Sequence, residues 1–138
     1  MLLADAAQVT PDGKLHALGL GWGVTPSPMT SPAAIAMIFH VPWDEANRKF
    51  GFSLQLLDGD GGPVMLPGPS GSIAIRFEQQ MEVGRPPGIK PGTTLNAPFV
   101  VSVGPMPLQA DSTFEWVVQV GDVRRSAAFA TRPLPRKP

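Results

Sequence analysis

Ile73-Ala74-Ile75-Arg76-Phe77-Glu78-Gln79-Gln80-Met81-Glu82-Val83 alternates in character along its length. Ile73, Ile75, Phe77, Met81 and Val83 are apolar, and Arg76, Glu78, Gln80 and Glu82 between them are polar. Successive side chains of a β-strand point to opposite faces, so the pattern predicts one strand with a dry face and a wet face. A strand of that kind needs a second layer to cover its dry side.

The rest of the chain has the same texture. Its 17 prolines and 15 glycines are spread throughout, and both residues break helices and mark turns. No window of helical length escapes them while also carrying an apolar stripe at 3.6-residue spacing. The chain divides instead into short runs bounded by turn signals. Leu2–Val9 is the first run, followed by the turn Thr10-Pro11-Asp12-Gly13. Lys14–Val24 is the second, with His16, Leu18, Leu20, Trp22 and Val24 on one face and Gly19, Gly21 and Gly23 on the other. Three glycines in phase point to a bulge or to another backbone close by.

Thr25–Pro32 reads as a loop. Ala33–Val41 is apolar on both faces and predicts a central strand, or one with a partner over its second face. Pro42–Arg48 connects it to Phe50–Leu57, with Asp44 placed to cap a single helical turn and Arg48 four residues on. Asp58–Gly62 is a turn before a short strand at Val64–Leu66. Pro67–Gly71 then leads into the alternating run, and Gly84–Pro98 is a long Pro/Gly loop after it. Phe99–Val103, Thr113–Val120 and Val123–Thr131 complete the strands, the last two joined by Gly121-Asp122 as a hairpin turn. Burying about eight one-sided strands is simplest in two packed antiparallel sheets, an immunoglobulin-like β-sandwich. A closed barrel is the alternative. We expect one domain over residues 1–131 and a solvated Pro/Arg-rich tail at 132–138.

Composition narrows the function classes. There is no cysteine, so neither a disulfide framework nor a thiolate metal site is available. Lys plus Arg and Asp plus Glu are both 11, giving zero net charge. Nucleic acid is therefore not the expected partner, since phosphate binding needs a basic excess. No window is apolar and long enough to span a bilayer, and the first residues lack the basic and apolar regions of a signal peptide. We expect no membrane partner and a cytoplasmic or virion location. Arg outnumbers Lys, and Ala, Gly and Pro are abundant, a composition in keeping with GC-rich bacterial or phage coding.

Catalytic chemistry is hard to assemble from what remains. His16 and His40 are the only histidines, which excludes a multi-histidine metal site, and His16 is in phase with Leu18 and Trp22 at the expected margin of the core. Glu78 and Glu82 share a strand face, but four residues at about 3.3 Å each put them roughly 13 Å apart, too far for a cooperating carboxylate pair. Asp58-Gly59-Asp60-Gly61-Gly62 has the start of a calcium loop, yet position twelve, which needs a glutamate, is Pro69. No phosphate loop and no nucleophile elbow is present, and Ser70 reads as a turn serine. We expect no catalytic residue, no metal and no cofactor.

The tryptophans are the remaining candidates. Trp116 is in phase with Phe114 and Val118, as a core residue would be. Trp22 sits near the end of its run and Trp43 in a loop; as a large aromatic Trp43 is expected to cap one end of the sandwich core, and if exposed it is a candidate to anchor an interface or stack on a sugar.

Several segments taken together resemble a bacterial, phage-associated domain-of-unknown-function family. They are Leu3-Ala4-Asp5-Ala6-Ala7-Gln8-Val9, Asp12-Gly13-Lys14-Leu15, Leu18–Trp22, Val41-Pro42-Trp43-Asp44-Glu45-Ala46-Asn47-Arg48, Glu82-Val83-Gly84-Arg85-Pro86-Pro87-Gly88, Pro105–Leu108 and Phe114-Glu115-Trp116. The resemblance covers nearly the whole chain. It implies a compact all-β protein and carries over no catalytic residue.

The expected function is accordingly non-enzymatic. The chain reads as a structural or protein-interaction module, pairing with itself or with a partner in a larger assembly such as a phage particle or bacterial complex. Its candidate interaction residues are Trp22, Trp43, Arg48, Arg85, Pro86 and Pro87. The alternative is a carbohydrate-type ligand module using Trp22, Trp43 and Arg85 near one end of the sandwich.

Overall fold

The computed structural model describes residues 1–133, and the last five residues of the expected tail lie outside the described part. The protein is all-β. Its strands are β1 (Leu2–Ala4), β2 (Ala6–Val9), β3 (Leu15–Leu18), β4 (Val24–Ser27), β5 (Ala33–Val41), β6 (Lys49–Asp58), β7 (Met65–Gly68), β8 (Gly71–Ala74), β9 (Arg76–Glu82), β10 (Leu95–Val103), β11 (Thr113–Val120) and β12 (Val123–Pro133). The helical element among the described residues is one 3-10 turn at Trp43–Glu45.

Two larger sheets share one core. The first has the order β1-β5-β10 and the second β4-β12-β11-β6-β9. Neighbours in both are antiparallel except β4, which runs parallel to the end of β12. Ile35 and Met37 of β5 and Leu3 of β1 meet Phe52, Leu54 and Leu56 of β6, Phe114, Trp116 and Val118 of β11, and Phe129 of β12. Burying each of these side chains stabilises the fold by about 1.5–3 kcal/mol. Phe52 sits between the layers: its ring centroid is 4.9 Å from Phe39 of β5, 5.2 Å from Phe99 of β10 and 6.1 Å from Phe77 of β9.

Ala33–Val41 is the central strand of its sheet, as its two-sided apolar pattern predicts. The outer-face residues Ala34 and Ala36 are buried because the β2–β3 hairpin folds back over them, with β2 against β5 and β10. The covering element thus comes from the chain itself. Further along the same face, Ile38 is 48% exposed.

Several sequence expectations are corrected. The run Ile73–Val83 is not one strand. Ile75 is a joint, donating its N–H to the Val64 carbonyl and accepting from the Leu56 N–H. Before it, Ile73 belongs to the β7–β8 hairpin and is 57% exposed; after it, Phe77 and Met81 of β9 pack against the core. Leu2–Val9 breaks at Asp5, where the chain leaves β5 and pairs with β3; the Asp5 N–H bonds to the Leu18 carbonyl.

The expected strand Lys14–Val24 ends at Leu18. Gly19 and Gly21 have φ of +63° and +87°, the left-handed conformation of a turn. Leu18 and Leu20 therefore point to solvent, and the close neighbour of Gly19 is the Asp5 carboxylate, which a Cβ there would strike. Finally, Thr25–Pro32 is not all loop and Gly84–Pro98 is shorter than expected. Val24–Ser27 pairs with Ala130–Pro133, so β12 also runs two residues past the expected boundary at Thr131. β10 starts at Leu95 and contains Pro98; as an edge strand it can hold a proline without losing a ladder bond.

Leu54 is fully buried between β9 and β11, so Leu54→Ala leaves a cavity under both sheets. We expect a loss of about 3 kcal/mol in urea unfolding, and a loss below about 1 kcal/mol would show that the core does not close over this strand.

Candidate functional site

Trp43 and Arg85 are 42 residues apart and meet at the end of β5. Val41 ends that strand, Pro42 turns the chain, and the 3-10 turn Trp43–Glu45 is closed by the Glu45 N–H bonding to the Pro42 carbonyl. No side chain caps this turn, so Asp44 lies inside it instead of capping it. Ala46 is then buried, and Asn47 adopts a positive φ of 59° that lets its N–H reach the Val83 carbonyl. That bond ties the turn to the end of β9, and Arg85 follows two residues later. Its guanidinium carbon lies 4.7 Å from the Trp43 ring centroid. Its Nε and Nη2 donate to the Trp43 carbonyl at 3.1 and 2.7 Å.

The indole's other surroundings are apolar. Trp43 packs with Val41, Ala46, Leu95, Phe39, Phe50 and Val83 in a second small core. Trp43 is therefore a half-buried clasp between two loops, not a displayed ring. Arg48, Pro86 and Pro87 lie on the exposed rim around it, and Arg48 makes no ion pair among the described residues.

Trp22 is elsewhere. Its ring meets Phe129 at 5.4 Å and 68°, an edge-on aromatic contact. It lines a depression of about 210 Å³ with Asp5, Pro26, Met29, Ser31 and Ala33. Its Nε1 is buried without a hydrogen-bond partner among the described residues, which costs about 1–3 kcal/mol. Ala33 begins β5 and Val41 ends it. Eight steps of about 3.3 Å separate the two tryptophans' neighbourhoods by roughly 26 Å, so Trp22 does not join Trp43 and Arg85 at one end.

The titratable residues are dispersed. Glu78 is paired with Arg76 at 2.7 Å on the wet face of β9. Asp58 Oδ1 accepts from the N–H groups of Asp60 and Gly62, so the calcium-like segment is a turn held by its own carboxylate. His40 Nδ1 lies 2.7 Å from Asn96 Oδ1. His16 is exposed on the β2–β3 hairpin, 3.3 Å from the Thr10 hydroxyl, and not at the core margin, because its run turns away at Gly19. The Thr10 hydroxyl also bonds Asp12 and holds that exposed carboxyl below its usual range. Among the described residues no group of three or more His, Asp or Glu is placed to hold a metal ion. The larger depression, about 370 Å³, lies over Gly51, Ser53, Glu78 and Gln80, where a residue without a side chain leaves the outer face of the sheet low.

These features define an all-β domain whose distinctive polar contact is structural. A family model matches residues 1–129, and the chain belongs to that family, DUF6941, a family of unknown function. No curated protein and no solved structure matches it. The sequence signal for the Trp43–Arg85 clasp was present only as two separate motifs; the register of β6 on β9 brings them together.

Arg85→Ala removes both hydrogen bonds and the cation over the indole. We expect acrylamide to quench Trp43 more readily, as judged against the same change in a Trp43→Phe background, with less than about 1 kcal/mol lost in global stability. Unchanged quenching would mean that Arg85 does not shield the ring.

Proposed function

We propose that this protein is an immunoglobulin-like β-sandwich that works by binding another protein through a free sheet edge. The strand order supports the fold assignment. In that fold family the first, second and fifth strands share one sheet and the third, sixth and seventh share the other, with further strands added beside the third in some members. Here β1, β5 and β10 match the first, second and fifth strands, β6, β11 and β12 match the third, sixth and seventh, and β9 is added beside β6. β5 and β10 lie in one sheet and β6, β11 and β12 in the other.

One observation carries the binding role. Among the described residues the larger sheets have four edges, and three are blunted: β1 is three residues long, β4 contains Pro26 and β10 contains Pro98. The fourth, β9, offers seven residues with neither proline nor glycine. Unpaired N–H and C=O groups on such a strand are a template for strand addition. The absence of a clustered acid, base and nucleophile among the described residues, and the packing of both candidate tryptophans against the fold, favour protein over sugar as the ligand class.

Gln80 tests this directly. It lies opposite Gly51 in a pair whose main-chain groups do not bond to each other, so Gln80→Pro removes an outward N–H and leaves the β6–β9 ladder intact. Chemical cross-linking of the native protein is expected to place partner contacts on β9, and Gln80→Pro to abolish them with unchanged circular dichroism. Contacts that persist in the variant would reject the edge as the binding site.

A further inference from the structure

The free edge of β9 is self-complementary. Its outward-facing groups follow from the bonding on its inner side. Ile75 accepts from the Leu56 N–H, and Val83 accepts from the Asn47 N–H, so the odd-numbered residues direct their main chain toward β6. In an antiparallel strand the alternate residues then direct theirs away. Arg76, Glu78, Gln80 and Glu82 therefore present N–H and C=O groups at the open edge. Among the described residues the Gln80 carbonyl accepts only from its neighbour's side chain, Gln79 Nε2 at 3.3 Å.

Consider a second copy of the chain adding to this edge antiparallel about a two-fold axis. Of the registers that keep the outward groups opposite one another, those that pair most of β9 are centred on Glu78, Gln79 or Gln80. Centring on Glu78 places the two copies' Glu78 carboxylates face to face. Centring on Gln80 sets Glu78 opposite the other copy's Glu82. Centring on Gln79 sets Arg76 opposite Glu82 twice, once on each side of the axis, and Glu78 opposite Gln80. Opposite charges on facing residues stabilise a strand pair and like charges destabilise it by similar amounts. In the same register Phe77 lies opposite Met81 on the inner face, where both are half-buried against the core, so the pairing also covers apolar surface.

We infer that the occupant of this edge is a second copy of the chain, paired β9 to β9 about Gln79 and held in register by reciprocal Arg76–Glu82 contacts. The inference rests on the edge-binding reading above. Arg76 already turns toward Glu78, at 2.7 Å along its own strand, so its guanidinium lies on the face where the other copy's Glu82 arrives. The dimer joins the two five-stranded sheets into one continuous sheet and has the isologous symmetry of most small assemblies.

Sedimentation equilibrium on the full chain, from micromolar to millimolar concentration, tests this. We expect a reversible dimer. Arg76→Glu and Glu82→Arg each replace two attractive pairs with two repulsive ones and should weaken self-association at least about tenfold. Both changes are on exposed side chains, and circular dichroism checks that the variants stay folded. An equimolar mixture of the two variants restores both opposite-charge pairs in a heterodimer and should recover association. A wild type that stays monomeric overturns the inference, as does a dimer indifferent to both reversals or a mixture that fails to recover. If the chain is monomeric but Gln80→Pro still releases a different protein from β9, self-pairing fails and edge binding stands. If Gln80→Pro changes no association of any kind, both fail.

Discussion

The two sheets are held together at Phe52. Its ring contacts Phe39 and Phe99 from one sheet and Phe77 from the other, so a single side chain from the middle of β6 carries aromatic packing across the layer boundary. The reason is the one-sidedness of the strands. β6, β9, β11 and β12 each offer one dry face, and a sheet with one dry face is stable only when something apolar lies on it. β5, β1 and β10 supply that cover. Phe39 then extends the contact to Phe50, which packs in the second core around Trp43. The clasp between the loops is thus a continuation of the same aromatic packing, and the arrangement of the rim follows from the core.

The strands that could be read from sequence are those in which side-chain alternation and turn chemistry agree. β5, β6, β11 and β12 meet that condition, and the Gly121-Asp122 turn is where the sequence places it, with Gly121 at a φ of +55°. Where the two signals diverge, the reading slips. Gly19, Gly21 and Gly23 recur at spacing two, which mimics the bare face of a strand, but the positive φ of the first two is a backbone property that no side-chain pattern displays. The joint at Ile75 is hidden for a related reason. An apolar residue in phase looks the same whether it continues a strand or hands the chain from one partner to another.

The candidate site was legible in its parts and not in its assembly. The Val41–Arg48 and Glu82–Gly88 motifs contain both members of the Trp43–Arg85 contact, yet sequence gives no register between β6 and β9, the strands that join them. The side-chain pattern carries the strand of Trp22 on through a turn set by the positive φ of Gly19 and Gly21, and that turn puts the residue at the start of β5 instead of its end. The self-complementarity of β9 was visible as a list of charges. It acquires meaning only when the bonding to β6 decides which residues face outward.

The prolines at the other edges have a consequence for growth. A sheet that is sticky along both borders adds copies without limit and becomes a fibre. In this protein Pro26 interrupts the far border of the five-stranded sheet, on β4, and Pro98 interrupts β10 of the other. Neither proline can donate a main-chain hydrogen bond, so each leaves a gap where an incoming strand would need one. With one permissive border and the rest capped, the β9 pairing proposed above would end at a closed pair. The same residue type that obscures the strands in the sequence would act as a chain terminator for such a pair.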